Sequence, residues 1–317
     1  MSERGGQIDE ISRLLGEHYV FPEAAQRIAV RLWTRQNQCA FESCTDEQFA
    51  AAVTEELRQG SDDKHLRVRF HVDPIAEDHE TELPDLEREE AALTGYGIAR
   101  AERLPGNVGY LDTTFFYPVE LSGAAIAAAM TLLASTDALL IDVRRNRGGS
   151  PEAVALLAGY LLDERTHLND LYFREGDRTE QFWSPAWVPG RRFGGTKPVW
   201  ILTGPDTFSG AEDLSYSLQQ LGRARTVGAA TRGGAHPCDR FKLAEHLDVT
   251  VPVARAINPK SGSNWEGVGV QPDISAEDAF TVAYGLALEQ VRTLGGAGAR
   301  RQVADEARLA VPPGDRR

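Results

Sequence analysis

The sequence predicts an α/β fold, and two strand-turn-helix units carry that prediction. Residues 139–143 are a continuous apolar run broken only by Asp142, the pattern of a strand buried on both faces. Residues 199–202 are apolar, β-branched and aromatic, and read as a second buried strand. Each strand leads through a glycine-containing turn into a helix. The first helix covers 151–162 behind a Ser150 cap and Pro151, and the second covers 210–221 with Leu214, Leu218 and Leu221 on one face. Such a βαβα succession favours right-handed crossovers and parallel pairing.

Upstream, residues 1–60 are predicted to form a small helical bundle. Ile8, Ile11, Leu14, Leu15 and Tyr19 make one amphipathic stripe, which Pro22 stops. A second helix over 24–33 offers Ile28, Leu32 and Trp33 to a core, and the capping box Thr45-Asp-Glu-Gln48 opens a third that ends near Leu57. Residues 61–95 form a strand and an acidic linker. Leu66, Val68 and Phe70 alternate with Arg67, Arg69 and His71, and the acidic run 73–95 follows as a solvated connection. Residues 96–292 form the core, with strands at 98–100, 108–111 and 225–228 and helices at 121–133 and 278–291 around the βαβα unit. The stretch after Leu162 is turn-rich and aromatic, and the Gly-, Ala- and Arg-rich tail 293–317 is expected to be disordered.

Composition narrows the partners. A chain of 317 residues with 42% hydrophobic residues can bury a sizeable core. A net charge of −13 argues against nucleic acid or an anionic membrane as a partner. No apolar run approaches the roughly 18 residues of a membrane span, and the N-terminus lacks the layout of a signal peptide. The three cysteines, Cys39, Cys44 and Cys238, have no metal-ligand spacing and read as free thiols. The protein is therefore expected to be soluble and cytoplasmic, with no metal or cofactor.

The candidate chemistry sits in the loops. Ser209 lies where a strand turns into a helix, at the end of the helix dipole that favours developing negative charge. That is the position of an activated serine, although Ser209-Gly-Ala-Glu212 also fits a capping box in which serine satisfies helix N–H groups. Gly148-Gly149 is a turn needing positive φ, or a pair of bare N–H groups presented to an oxyanion. His65, at the start of the half-buried strand, and His236, in a glycine-rich loop, are candidate proton carriers. A histidine at a strand boundary serves equally well as an ordinary hydrogen-bonding residue. Glu266 is a carboxylate beside Trp265, where partial burial could shift its titration.

Four ordered motifs carry a resemblance. Leu140-Ile-Asp142-Val-Arg144-x-Asn146-x-Gly148-Gly149, Thr207-Phe-Ser209-x-Ala-Glu212, Thr231-x-Gly-Gly234-Ala-x-Pro237 and Asn264-Trp-Glu266-Gly-x-Gly-Val270-x-Pro-Asp273 together resemble the S41 peptidase family. That family includes the tail-specific proteases, the tricorn core and the interphotoreceptor retinoid-binding protein modules. The resemblance implies a crotonase/ClpP-like α/β core with a mixed sheet and flanking helices. It also implies Ser209 as nucleophile and an oxyanion hole from Gly148 or Gly149 together with Gly210. Tail-specific proteases use a Ser–Lys dyad, yet Gly234 stands where that lysine would be and none of the four lysines fits. There is no room between Phe70 and Tyr96 for their PDZ domain. The tricorn-like branch instead implies His65 as base and Glu266 as an orienting carboxylate, with His236 in reserve.

Two functions follow as expectations. One is a serine hydrolase acting on peptide or protein substrate through an acyl-enzyme on Ser209. The alternative is a non-catalytic module of the same fold that binds an apolar, retinoid- or fatty-acid-like ligand. An acyl transferase or cyclase is a further variant of the first.

Overall fold

The computed structural model describes residues 2–61, 63–75, 83–298 and 300–310. Part of the expected acidic linker (76–82) and the end of the expected tail (311–317) lie outside those residues. In chain order, helices α1 (Glu3–His18), α2 (Pro22–Asn37) and α3 (Asp46–Ser61) precede strand β1 (Arg67–Phe70). Then come α4 (Leu83–Leu93), β2 (Ile98–Leu104), β3 (Val108–Thr113), α5 (Val119–Leu133), β4 (Ala138–Asp142) and α6 (Pro151–Leu161). Next are β5 (His167–Phe173), β6 (Arg178–Trp183), β7 (Val199–Thr203), α7 (Gly210–Gln220) and β8 (Arg225–Gly228). Strands β9 (Cys238–Ala244), β10 (Leu247–Pro252), β11 (Ala254–Ile257) and β12 (Ile274–Ser275) lead to α8 (Ala279–Thr293) and α9 (Arg300–Leu309).

The chain divides into two compact units. The first comprises Met1–Leu83, Asp170–Glu180 and Gly234–Ile257. Its three helices start where the sequence places caps: Ser2 accepts from Gly5 N–H, Pro22 opens α2, and Thr45 and Gln48 exchange the two bonds of a capping box. The stripe Ile8, Ile11, Leu14, Leu15 and Tyr19 is buried with Ile28, Leu32, Phe49, Val53 and Leu57. Trp33, expected in that core, is 37% exposed, because the buried face of α2 runs through Ile28, Leu32 and Gln36 and leaves Trp33 to its side. The helices do not form a self-contained domain over 1–60. Val68 of β1 and Leu247, Val249 and Val251 of β10 belong to the same core, and β1 pairs antiparallel with β10, which pairs with β9. A half-buried strand carries backbone groups that must pair, and β1 finds its partner almost 180 residues downstream.

The second unit comprises Pro84–Asn169, Gln181–Gly233 and Asn258–Arg317. Its six-stranded sheet has the order β12-β8-β7-β4-β3-β2, parallel throughout except for the antiparallel β2–β3 pair. Alternate residues serve alternate faces. Leu139, Ile141, Val199 and Ile201 face the core built with Met130, Leu133, Leu157, Leu161, Leu214 and Leu218 of α5, α6 and α7. Ala138, Leu140, Trp200 and Leu202 face the core built with Phe280, Tyr284 and Leu288 of α8. This is the predicted α/β core with a mixed sheet and flanking helices. Residues 300–309, expected as disordered tail, are instead helical. Ala307 of α9 is fully buried against the α8 side, and Arg300 pairs with Asp137 at 2.9 Å.

Candidate active site

The second unit builds the serine turn from backbone and buried hydroxyls. Thr207 Oγ1 donates to the Val143 carbonyl (2.8 Å) and accepts from Gly204 N–H (3.0 Å), and Phe208 N–H donates to the Asn146 carbonyl (3.0 Å). These bonds tie the loop after β7 to the loop after β4. Ser209 then takes φ 52° and ψ −119° before α7 begins at Gly210. A residue with a Cβ held there stores about 1–3 kcal/mol, which only an over-determined surround sustains. Asp142, the polar break in β4, is explained by its partners: Arg144 grips it from two positions along the chain and Tyr110 donates its hydroxyl at 2.8 Å.

The Gly148-Gly149 turn lies directly against Ser209. Gly148 (φ 106°) and Gly149 (φ 123°) both occupy backbone regions that side chains avoid. A Cβ on Gly148 would sit 2.7 Å from Ser209 Cβ, and one on Gly149 would sit 2.0 Å from the Phe116 carbonyl oxygen. The Gly148 N–H is already used, since it donates to Asn146 Oδ1 at 2.8 Å. Gly148 therefore contributes space rather than a donor. A Cβ on Gly210 would lie 2.9 Å from the Gly149 carbonyl oxygen and 3.2 Å from Gly149 N, so the start of α7 packs backbone to backbone against Gly149. Asn146, fully buried, also donates from Nδ2 to Thr113 Oγ1 and so fixes the turn from beneath.

Glu212 ties this turn to the later loops. Fully buried, its carboxylate accepts from Ser209 N–H (2.8 Å), Thr231 Oγ1 (2.5 Å) and Gly233 N–H (2.6 Å). The carboxylate half of the expected capping box is thus formed, and it does more than cap. Thr231 in turn binds the last glycine-rich loop: its Oγ1 accepts from Val270 N–H and its N–H donates to the Val270 carbonyl. Gly267 N–H donates to Gly233 O at 3.3 Å. Glu266 lies in that loop, half-buried, beside the buried Trp265 whose ring stands 5.4 Å from Tyr216. A continuous set of hydrogen bonds therefore runs from Ser209 through Glu212 and Thr231 to the Glu266 loop. One turn into α7, Asp213 is buried, and its hydrogen-bond partners Ser217 and Asn169 are neutral. Burial pushes its carboxyl up to about 6, against weaker lowering by hydrogen bonds from Ser217 and Asn169.

The first unit holds both candidate histidines, and a single carboxylate serves them. Asp63, 2% exposed, places Oδ2 2.8 Å from His236 Nδ1 and Oδ1 3.7 Å from His65 Nδ1. Oδ1 also accepts from the His65 backbone N–H (3.0 Å), and Tyr19 donates its hydroxyl to Oδ2 (3.2 Å). Burial by itself pushes the Asp63 carboxyl up. The hydrogen bond with His236 and the nearby imidazole of His65 outweigh it and hold the group well below the usual carboxylate range. Phe21 packs edge-on against His236, with centroids 5.2 Å apart.

Sequence reading passes over Asp63 and Asn146 as actors and takes Glu212 only as a cap. The signal for Asp63 lies in its spacing, two residues before His65, which suits an aspartate closing a turn onto a backbone N–H. The three cysteines are free, as expected. Lys197 donates to the carbonyls of Ala134 and Thr136, away from the Ser209 turn in sequence and in bonding. No helix among the described residues is long and apolar enough to cross a membrane.

Residues 107–276, more than half of the chain, match Peptidase family S41, and residues 2–95 match the N-terminal domain of Peptidase_S41 in eukaryotic IRBP. The chloroplastic carboxyl-terminal-processing peptidase 2 of Arabidopsis thaliana is 25% identical over 255 residues. That alignment takes in 75% of this chain but only 45% of the relative, so the chain spans less than half the relative's length. Among solved structures, the photosystem II D1 C-terminal processing protease is similar with a TM-score of 0.55 at 18% identity, covering 96% of this chain and all of the other. Mature CPAF is similar with a TM-score of 0.60 at 13% identity, covering 98% and 99%. These likenesses carry the fold, while the match over 107–276 carries membership: the chain belongs to peptidase family S41.

Proposed function

We propose that the protein is a serine peptidase that cleaves peptide or protein substrates through an acyl-enzyme on Ser209. The observation that carries the reading is the strained Ser209 backbone pressed against two glycines whose positions tolerate no side chain. A capping serine needs neither feature. In the proposed reaction His65 removes the hydroxyl proton as Oγ attacks the scissile carbonyl. The N–H groups of Gly149 and Gly210 receive the oxyanion, and Gly148 leaves the room for it. Collapse breaks the C–N bond, and the proton on His65 passes to the departing amine. Water, deprotonated by the same histidine, then hydrolyses the acyl-enzyme and restores Ser209. Asp63 sets the orientation of His65, and His236 braces Asp63. Glu266 orients or polarises the site from the last glycine-rich loop. The choice of His65 rests on the S41 resemblance and on the histidine–carboxylate grouping in the first unit.

A fluorophosphonate probe tests the reading. Wild-type protein is expected to label, Ser209→Ala to show none, and His65→Ala to label at least about 100-fold more slowly. Equal labelling of Ser209→Ala, or an inert but folded wild type, contradicts it. The match of residues 2–95 to the IRBP domain keeps one second reading, a binding module for an apolar ligand. Tight fatty-ligand binding that survives both substitutions, in a protein that does not label, would favour it.

A further inference from the structure

A single catalytic base needs one carboxylate behind it, but here two histidines turn the same ring nitrogen toward one aspartate. His236 Nδ1 stands 2.8 Å from Asp63 Oδ2 and His65 Nδ1 3.7 Å from Asp63 Oδ1. One nitrogen of each ring and a carboxylate oxygen lie within 4.8 Å of one another. Two imidazoles and a carboxylate form a donor set that suits Zn²⁺. Bonds of about 2.0–2.2 Å to a tetrahedral ion put ligand atoms roughly 3.3–3.6 Å apart. The 2.8 Å and 3.7 Å spacings run to the two different oxygens of Asp63, so one ion between the rings engages the carboxylate after small rotations of the rings and the carboxylate. The surround resembles the outer support of a metal centre: the Tyr19 hydroxyl donates to Asp63 and the Phe21 ring packs on His236. With side chains 2%, 5% and 11% exposed, the cluster is largely withdrawn from competing water.

We propose that Asp63, His65 and His236 form an inhibitory binding site for a divalent transition metal ion of the Zn²⁺ type. The ligands come from positions 63, 65 and 236, so no metal-binding spacing is visible in the sequence. A neutral imidazole that binds a metal through Nδ1 carries its proton on Nε2, which then donates and cannot accept. The ion thereby removes the basic lone pair of His65 without touching Ser209. That consequence rests on the proposed mechanism; the binding does not.

Titration of Co²⁺ into metal-free protein, followed by displacement with Zn²⁺, tests the site by its visible absorption. One ion per chain in a tetrahedral environment is expected. Its affinity should fall at least about tenfold in His65→Gln and in His236→Gln, and hold in Ser209→Ala and Cys238→Ser. Cys238, whose thiol meets the His236 carbonyl at 3.2 Å, is the control for a thiol ligand. Anomalous scattering at the zinc edge from wild-type crystals locates the ion without any variant. A peak between Asp63, His65 and His236 supports the proposal. No binding in Zn²⁺ excess, a peak elsewhere, or loss of binding in Cys238→Ser alone overturns it. In the functional arm, saturating Zn²⁺ should slow fluorophosphonate labelling at least about tenfold, reversibly on chelation. Unchanged labelling with the ion bound overturns the inhibitory role. A metal-free protein that does not label counts against the hydrolase reading and leaves the absorption and scattering results to decide the site.

Discussion

Asp63 in the first unit and Asp213 in the second are both buried to 7% exposure or less, and burial has opposite outcomes for them. Asp63 faces two imidazoles, and the hydrogen bond with His236 together with the His65 ring nearby outweighs the cost of leaving water. Asp213 faces Ser217 and Asn169, which are neutral, and there burial prevails and raises the carboxyl to about 6. The difference lies in the partners rather than the depth. The same contrast separates the two kinds of chemistry. The first unit offers a buried carboxylate with two imidazoles turned toward it. The second offers a backbone cradle, held by Asn146, Glu212 and Thr231, that presents N–H groups and a hydroxyl.

The sharpest way to break this contrast is to remove the hydroxyl from the cradle. Ser209→Ala is expected to lower peptide hydrolysis by about 10⁴-fold or more while the fold persists, as measured by steady-state kinetics and circular dichroism. Asp63→Asn should follow, with kcat down about 10²–10⁴-fold, because the neutral amide cannot hold the histidines as the carboxylate does. His236→Ala should cost less than His65→Ala; the reverse order would move the base to His236. Gly149→Ala forces a methyl group toward the Phe116 carbonyl at a positive φ. It should destabilise the second unit by at least about 3 kcal/mol in denaturant unfolding.

The smallest effects concern pH and strain. Asp213 has a folded pKa above its unfolded value, so between about pH 4 and pH 6 the native state holds the proton that the unfolded chain has lost. Its contribution to stability therefore falls as pH rises through that window, by about 2–3 kcal/mol at most. Asp213→Asn should flatten that part of the stability curve. Asp63 works the other way: its stabilisation is present above the unfolded carboxylate range and is lost as pH falls through its lower folded value. Ser209→Gly should raise stability by about 1 kcal/mol, offset in part by the added freedom of the unfolded chain, while ending catalysis.

The second unit was the more legible in sequence. Runs such as Leu139-Leu-Ile-Asp142 and Trp200-Ile-Leu announce buried strands, and Ser150-Pro151 marks a helix start, because these signals are local. Long-range pairing is less visible. Strands β5, β6, β9, β10 and β11 read as turn-rich or unassigned sequence, and β1 gains its partner only through β10, so the boundary at residue 60 dissolves in the structure. The α9 helix was hidden by a composition suited to disorder, because its anchors are long-range: Ala307 in the α8 core, Arg300 on Asp137 and Glu306 on Arg103. In the site, the residue types were legible but their support was not. Gly148 passes for an oxyanion donor until Asn146 is seen to take its N–H, and Asp63 passes for linker until both histidines meet on it.

The central claim is that Ser209 carries the acyl group during turnover. The most direct test is rapid acid quench of the protein during hydrolysis of an activated ester, with the adduct mapped by peptide mass. The account predicts a pre-steady-state burst and an acyl group on the peptide containing Ser209, absent in Ser209→Ala. Turnover without any adduct at Ser209, or a burst that persists in Ser209→Ala, would contradict it.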